Sequence, residues 1–404
     1  MDTGTLYKID EIVERAIQSR AMPGCQVLVA KKGSIVYSKG FGYHTYDKRQ
    51  KVERSDIYDI ASVTKVAATS IAMMRLVENK IVLLDKPLST QMSLYSNSSL
   101  SPITVNNLLI HKSGLQKNMP IAKFLNNRKG TAGCASYFCN EKSLTHSSKI
   151  ANNFYFNPSY QNDIWRAVNK LERPSKYKYR KFLYGDVNFY VLQKLIEDKT
   201  RMTLDQYMDE IFYKPLGLRY CLFNPLQRLP ETMITPTQND QKWRNTQLRG
   251  YVHDETAALN SGVAGNAGLF ANSEDLAVLF QMLLNGGTYG GKQYLQAETI
   301  NFFTNSGHGN HRGLGFDKRE LAYTIARSAS MASYGHNGFT GTCVWVDPEE
   351  ELIYIFLSNR VYPDPSNGTM MKLKVRRKIH QVIYDAIQTP GKEETLFVNL
   401  EGSE

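Results

Sequence analysis

Strand-like apolar runs lie near the two ends of the chain, and helical periodicity fills most of what separates them. Ile9, Ile12, Val13 and Ala16 share one side of a predicted amphipathic helix over 8–19. Apolar runs at 25–30 and 34–38 flank Lys31-Lys32-Gly33, a hairpin signal. A second hairpin is predicted from 342–346 and 352–357 around Asp347-Pro348-Glu349-Glu350-Glu351. Apolar spacing predicts a buried helix from about residue 62 to Asn79, another over 275–284 behind Asn272-Ser273, and a last one over about 370–387. Shorter helical stretches fall at 108–111, 190–196 and 204–213, whereas 116–173 shows little periodicity and reads as an irregular excursion. The simplest architecture is α+β. One antiparallel sheet is made from both chain ends and flanked by helices, with a mostly helical domain inserted. The expected boundaries are 1–80 and 262–390 for the sheet domain, 81–261 for the insertion and 391–404 for a tail.

Composition narrows the class. With 404 residues, 42% hydrophobic and 22% charged, the chain can build an ample core in two packed units. No run approaches the ~20 apolar residues of a membrane-spanning helix. Met1-Asp2-Thr3-Gly4-Thr5 lacks the basic start and apolar core of a secretion signal, so an exported protein would carry its signal outside this chain. Of five cysteines, Cys134 and Cys139 are close enough in sequence to bridge; five free, mostly buried thiols is the favoured reading. The net charge of +11 gathers around 170–181 and 372–378. No nucleic-acid-binding motif accompanies it, so a solvated face or a positive field beside a site is expected instead.

The chemistry begins at Ser62-Val63-Thr64-Lys65. A spacing of three places both side chains on one side of a helical turn. A serine hydroxyl needs a base to become a nucleophile, and a partly desolvated lysine can serve. Ser62 taken alone is equally an ordinary helix N-cap. A second match, Ser175-Lys176-Tyr177-Lys178, has no apolar helix behind it and is set aside. Tyr184-Gly185-Asp186-Val187-Asn188 precedes a helix. Tyr184 can hold a proton in relay with Lys65 if positive charge (Lys65, Lys178, Arg180 or Lys181) lowers its pKa; the plainer reading is a buried tyrosine at a helix start. His336-Asn337-Gly338-Phe339-Thr340-Gly341-Thr342 leads into a strand whose backbone N–H groups can face Ser62 as an oxyanion hole, or His336 is a turn histidine.

In this order the three segments resemble the serine β-lactamase and penicillin-binding-protein superfamily: S-x-x-K, a Tyr motif, then a K-T-G variant. The likeness is greatest to class C β-lactamase-like hydrolases and their esterase and D-aminopeptidase relatives, and to the module that follows a glycoside hydrolase in some bacterial proteins. His111-Lys112-Ser113-Gly114-Leu115 and Gly262-Val263-Ala264-Gly265-Asn266-Ala267-Gly268-Leu269-Phe270 add to it. The resemblance implies Ser62 as nucleophile, Lys65 as its proton acceptor and Tyr184 as second base and later acid. It also implies an oxyanion hole from the N–H groups of Ser62 and Phe339, with His336, Asn337, Gly338 and Asp186 lining the substrate. No metal or other cofactor is implied, and His308-Gly309-Asn310-His311 is too sparse to change that. Three departures matter. His336 replaces a lysine, Asp186 replaces an asparagine, and Asn337 replaces a threonine. The first two weaken the match to a β-lactam's carboxylate and amide. The expected activity is therefore acyl transfer from an ester or small amide to water, on a small or peptide-like substrate, with weak or no β-lactam turnover. The alternatives are a D-amino-acid peptidase or carboxypeptidase, a true class C-like β-lactamase, and a non-catalytic binding module. The expected location is the periplasm or cell envelope, with the cytoplasm left open.

Overall fold

The computed structural model describes residues 1–119, 121, 137–171, 181–305, 312–319 and 324–388. Its main sheet has six antiparallel strands: β1 (Gly24–Lys31), β2 (Ser34–Gly42), β3 (Asp317–Lys318), β4 (Tyr334–Asn337), β5 (Cys343–Asp347) and β6 (Leu352–Ser358). Their spatial order is β3-β4-β5-β6-β1-β2, so the first hairpin is joined to the last strands of the chain through the β1–β6 ladder, with Val27 opposite Phe356 and Leu28 opposite Ile355. The sheet is thus built from both chain ends, in an α+β fold. Every residue of β6 is buried, as a strand covered on both faces must be.

Alternation along β1 divides the core. Val27 and Val29 pack with Trp345, Tyr354 and Phe356 against helices α1 (Lys8–Gln18) and α5 (Val375–Gln388). Leu28 and Ala30 point the other way, toward α4 (Ser273–Leu284), whose first turn is capped by Asn272. The last helix begins in two pieces. A short turn at Thr369–Lys372 is separated from α5 by Lys374, which lies in the left-handed region at φ 54°. Beyond α4, the same core continues into α2 (Ser70–Glu78) and α3 (Asp186–Thr200).

Three expectations are corrected. Ser62 is not an N-cap. It sits inside a 3₁₀ turn, Ala61–Val63, and Lys65 opens a π-helical turn, Lys65–Thr69, that runs into α2. The stretch read as irregular holds a three-stranded antiparallel sheet, Phe138–Cys139, Ser148–Ala151 and Phe154–Phe156, and a helix, Gln161–Asn169. Cys139 is disulfide-bonded while Cys25, Cys221 and Cys343 are free, so the reading of five free thiols fails; Cys134 lies outside the described residues. Also outside them are Ser175–Lys178, Arg180, His308 and His311. Among the described residues no helix is long and apolar enough to cross a membrane.

Candidate active site

Ser62 is presented by a strained backbone. Ala61, just before it, adopts φ 47°, and its N–H donates to Asp59 Oδ1 at 2.9 Å. Asp59 is buried and also accepts the His253 N–H at 2.7 Å, which ties the Ser62 turn to the segment before residue 254. The π-turn after Ser62 is held by the glycine-rich segment. Thr69 Oγ1 donates to the Gly265 carbonyl at 2.7 Å, and the Leu269 N–H donates to Thr64 Oγ1 at 3.2 Å. A Cβ at Gly265 would lie 2.2 Å from the Phe189 carbonyl, so only glycine allows this approach to α3.

Lys65 is fully buried among polar groups. Its Nζ donates to Ser62 Oγ at 2.9 Å, to Asp186 Oδ1 at 2.6 Å and to the Asn266 carbonyl at 3.2 Å. Burial alone would lower its pKa. The Asp186 carboxylate and Tyr184 outweigh that, and the amine is held above its ordinary value. Lys65 is therefore an ammonium in the resting site, not the neutral base the S-x-x-K spacing suggests.

Tyr184 is half-buried at the entrance to α3. Its hydroxyl interacts by hydrogen bonding with the Lys65 and Ser62 side chains, and Lys65 Nζ lies 5.1 Å from its ring centroid. Burial raises the phenol's pKa, and the lowering by Lys65 does not cancel it. Tyr184 thus holds its proton, contrary to the expected phenolate. The ring rests on His111, 4.6 Å between centroids. His111 Nδ1 in turn accepts the Gly185 N–H at 3.2 Å, and burial keeps this imidazole neutral. The His111–Leu115 turn is thereby the platform for the Tyr184 segment.

The opposite wall is the end of β4. The two-residue β3 pairs only Tyr334 and Gly335, so His336 and Asn337 extend past it. Thr340 Oγ1 donates to the Asp59 carbonyl at 2.8 Å and Thr342 Oγ1 to the Ile60 carbonyl at 3.0 Å, which sews this segment to the Ser62 turn. Neither the Ser62 nor the Phe339 N–H donates to a backbone acceptor among the described residues. The half-exposed Phe339 ring stacks on His253 (5.2 Å, 20°) beneath Arg360 (4.7 Å). His336 is buried, and burial lowers its pKa to about 4, so it is a neutral imidazole.

Together these walls enclose a cleft of about 600 Å³ lined by Ser62, Tyr184, Asp186, His336, Asn337, Gly338 and Phe339. Lys65 reaches it from below through Ser62. The sequence did not single out His253, Asp254 or Asp317, which also line it. Asp317 is paired with Arg312, and Asp254 caps the short helix Glu255–Leu259. Asp254 followed by Glu255-Thr256-Ala257-Ala258 is a legible cap signal, but nothing local in it points to a site. A larger polar groove of about 790 Å³, with Trp165, Gln193 and Glu197 in its wall, contains none of these groups.

A serine–ammonium–carboxylate row centred on a buried lysine, beside a phenol and on this sheet, defines the serine hydrolases of the β-lactamase and penicillin-binding-protein fold. The family model described as Beta-lactamase matches residues 9–374, and the chain belongs to that family. Among curated relatives, a protein of Escherichia coli strain K12 named "Putative D-alanyl-D-alanine carboxypeptidase" is 31% identical over 383 residues, 86% of this chain and 82% of that one. The like-named protein of Escherichia coli O157:H7 is 30% identical over 400 residues, 91% of this chain and 85% of its own. Among solved structures, the octameric penicillin-binding protein homologue from Pyrococcus abyssi superposes with a TM-score of 0.64 at 22% identity, over 92% of this chain and 77% of that one. EstCE1, described as a hydrolase with promiscuous acyltransferase activity, gives 0.66 at 18% identity, over 94% and 99%. These structural likenesses speak for the fold.

Proposed function

We propose that the chain is a serine hydrolase that cleaves an ester or small amide through an acyl-enzyme on Ser62, with weak or no turnover of β-lactams. The observation that carries this reading is the row Ser62 Oγ, Lys65 Nζ, Asp186 Oδ1, with spacings of 2.9 and 2.6 Å. As Ser62 Oγ bonds to the carbonyl carbon, its proton passes to Lys65 while Lys65 gives one of its own to Asp186. Lys65 stays cationic throughout, and Asp186 becomes the neutral acid. The carbonyl π electrons move to oxygen, which meets the N–H groups of Ser62 and Phe339. When the carbon–leaving-group bond breaks, the leaving group takes the Tyr184 proton, and Tyr184 is reprotonated from Asp186 through Lys65. Water then repeats the sequence on the acyl-enzyme, and Ser62 is the leaving group.

A neutral His336 in place of a lysine offers a substrate carboxylate no charge, which disfavours β-lactams. The names of the relatives favour a second reading, a D-amino-acid carboxypeptidase of the cell envelope. The division into a sheet unit (1–80 and 262–390) and an inserted unit (81–261) belongs to the proposal, as does an upstream glycoside hydrolase in the natural protein. The test is turnover of p-nitrophenyl acetate and a chromogenic cephalosporin by wild type and Ser62→Ala, with intact mass after a fluorophosphonate probe. Ester turnover lost in Ser62→Ala, with one probe adduct on wild type only, is expected. Cephalosporin turnover outpacing the ester would overturn the substrate ranking. A probe that leaves the protein unmodified would make it a binding module.

A further inference from the structure

Beside the Ser62 row, the cleft is rich in hydrogen-bond acceptors. Among the described residues no Lys or Arg lines it, whereas Asp186, Asp254 and Asp317 do. Two of these carboxylates already have a cation, Lys65 on Asp186 and Arg312 on Asp317. Asp254 has none. It takes the Ala257 N–H at 2.8 Å and an Asn266 side-chain hydrogen bond, while burial first and the nearby Asp186 charge second raise its pKa. Asn266 is 1% exposed; since its amide NH₂ is the only donor it can give Asp254, its Oδ1 is the atom left over, and that atom is buried with no partner among the described residues. His336 is 2% exposed and neutral. Its Nδ1–H donates to the Asn337 carbonyl at 2.8 Å, so its Nε2 presents a lone pair, also with no partner among the described residues.

A carboxylate, the unpaired amide oxygen of Asn266 and the Nε2 lone pair of His336, on residues lining the same cleft, match a group with donors only and a positive charge. We propose that this cleft selects substrates bearing a protonated primary amine beside the scissile carbonyl, held by Asp254 with Asn266 and His336 as neutral acceptors. An ammonium supplies three donors and no acceptor. A substrate carboxylate would meet acceptors and the negative charge of Asp254, so the inference separates an aminoacyl hydrolase from the carboxypeptidase reading. It rests on the acyl-enzyme chemistry proposed for Ser62.

The experiment compares alanine p-nitroanilide with N-acetylalanine p-nitroanilide, in both enantiomers, on the intact protein. These substrates share a leaving group and differ in the charge of the amine. The ratio of kcat/KM, free amine over acetylated, is expected to exceed about tenfold for the preferred enantiomer in wild type. It should fall toward one in Asp254→Asn, mostly through KM; asparagine keeps the helix cap, and damage common to both substrates cancels in the ratio. A wild-type ratio at or below one, or a ratio that Asp254→Asn leaves in place, overturns the proposal. Turnover of p-nitrophenyl acetate, measured alongside, reports on the Ser62 chemistry separately. Should wild type hydrolyse neither anilide, calorimetric binding of alaninamide against N-acetylalaninamide to Ser62→Ala reads the same preference without turnover, and equal affinities overturn it.

Discussion

Asp186 Oδ1 sits 2.6 Å from Lys65 Nζ, so the amine beside Ser62 is one end of an ion pair rather than a free base. A lysine buried next to a neutral amide would lose its proton to desolvation. Here the carboxylate outweighs desolvation. The change from asparagine to aspartate that first looked like a weakened substrate contact is instead a change in where the serine proton goes.

Asp186→Asn is therefore expected to lower kcat/KM for p-nitrophenyl acetate about 10²-fold at pH 7, the scale of a lost general base. The loss should shrink as pH rises. Burial without the carboxylate pulls the Lys65 pKa down, and the neutral amine formed at higher pH takes over as base. A pH–rate profile for both proteins checks this. A variant profile that coincides with wild type would remove Asp186 from the proton path.

Gly338 fixes the other wall. A Cβ there would lie 2.0 Å from Thr342 Oγ1 and 2.5 Å from the Ile60 carbonyl, the two atoms joined by the 3.0 Å bond that sews the segment after β4 to the Ser62 turn. Backbone is on one side of the clash, so Gly338→Ala must push the segments apart. The expected cost is about 1–3 kcal/mol in stability. A further drop of about 10²-fold in kcat/KM should follow as the Phe339 N–H moves away from Ser62. Thermal unfolding and ester kinetics on the same preparation check both. Full activity in a destabilised variant would show that Phe339 does not need this seat.

Local patterns carried much of the fold and little of the electrostatics. Residues 8–19, 25–38 and 342–357 were legible because their apolar spacing is set by one helix or hairpin. The π-turn at Lys65–Thr69 was not, since its apolar residues suit an α-helix equally and the departure is fixed by contacts with Gly265 and Leu269 some 200 positions away. The small sheet at Phe138–Phe156 turns at Asn152-Asn153, with Asn153 at φ 51°. Asparagine suits that left-handed turn position, but the pair is hard to tell apart in a stretch rich in other polar residues. Ser62, Lys65 and Tyr184 were legible as residue types at a spacing. The charge state of Lys65 was not, because it depends on Asp186 reaching across 121 residues. Asp254 was invisible for the same reason.

The buried histidines make the last prediction, on stability against pH. His380 is 2% exposed, lies between the Tyr354 and Tyr384 rings, and burial lowers its pKa to about 3 despite the Asp347 carboxylate. An unfolded histidine titrates near 6.5. The folded state thus refuses a proton that the unfolded state accepts. The stability this gives is complete above about pH 6.5 and is lost as pH falls toward 3, by up to about 1.4 kcal/mol per pH unit. Asp59 works in the opposite direction. Burial raises it to about 6, so the folded state takes up a proton before the unfolded one, and acidification from pH 6 to 4 adds stability. Denaturant unfolding between pH 7 and 4.5 separates the two. The stability of wild type minus that of His380→Phe should fall with decreasing pH, and that of wild type minus Asp59→Asn should rise. Parallel curves for wild type and His380→Phe would mean that His380 does take a proton in the folded protein, beside Asp347.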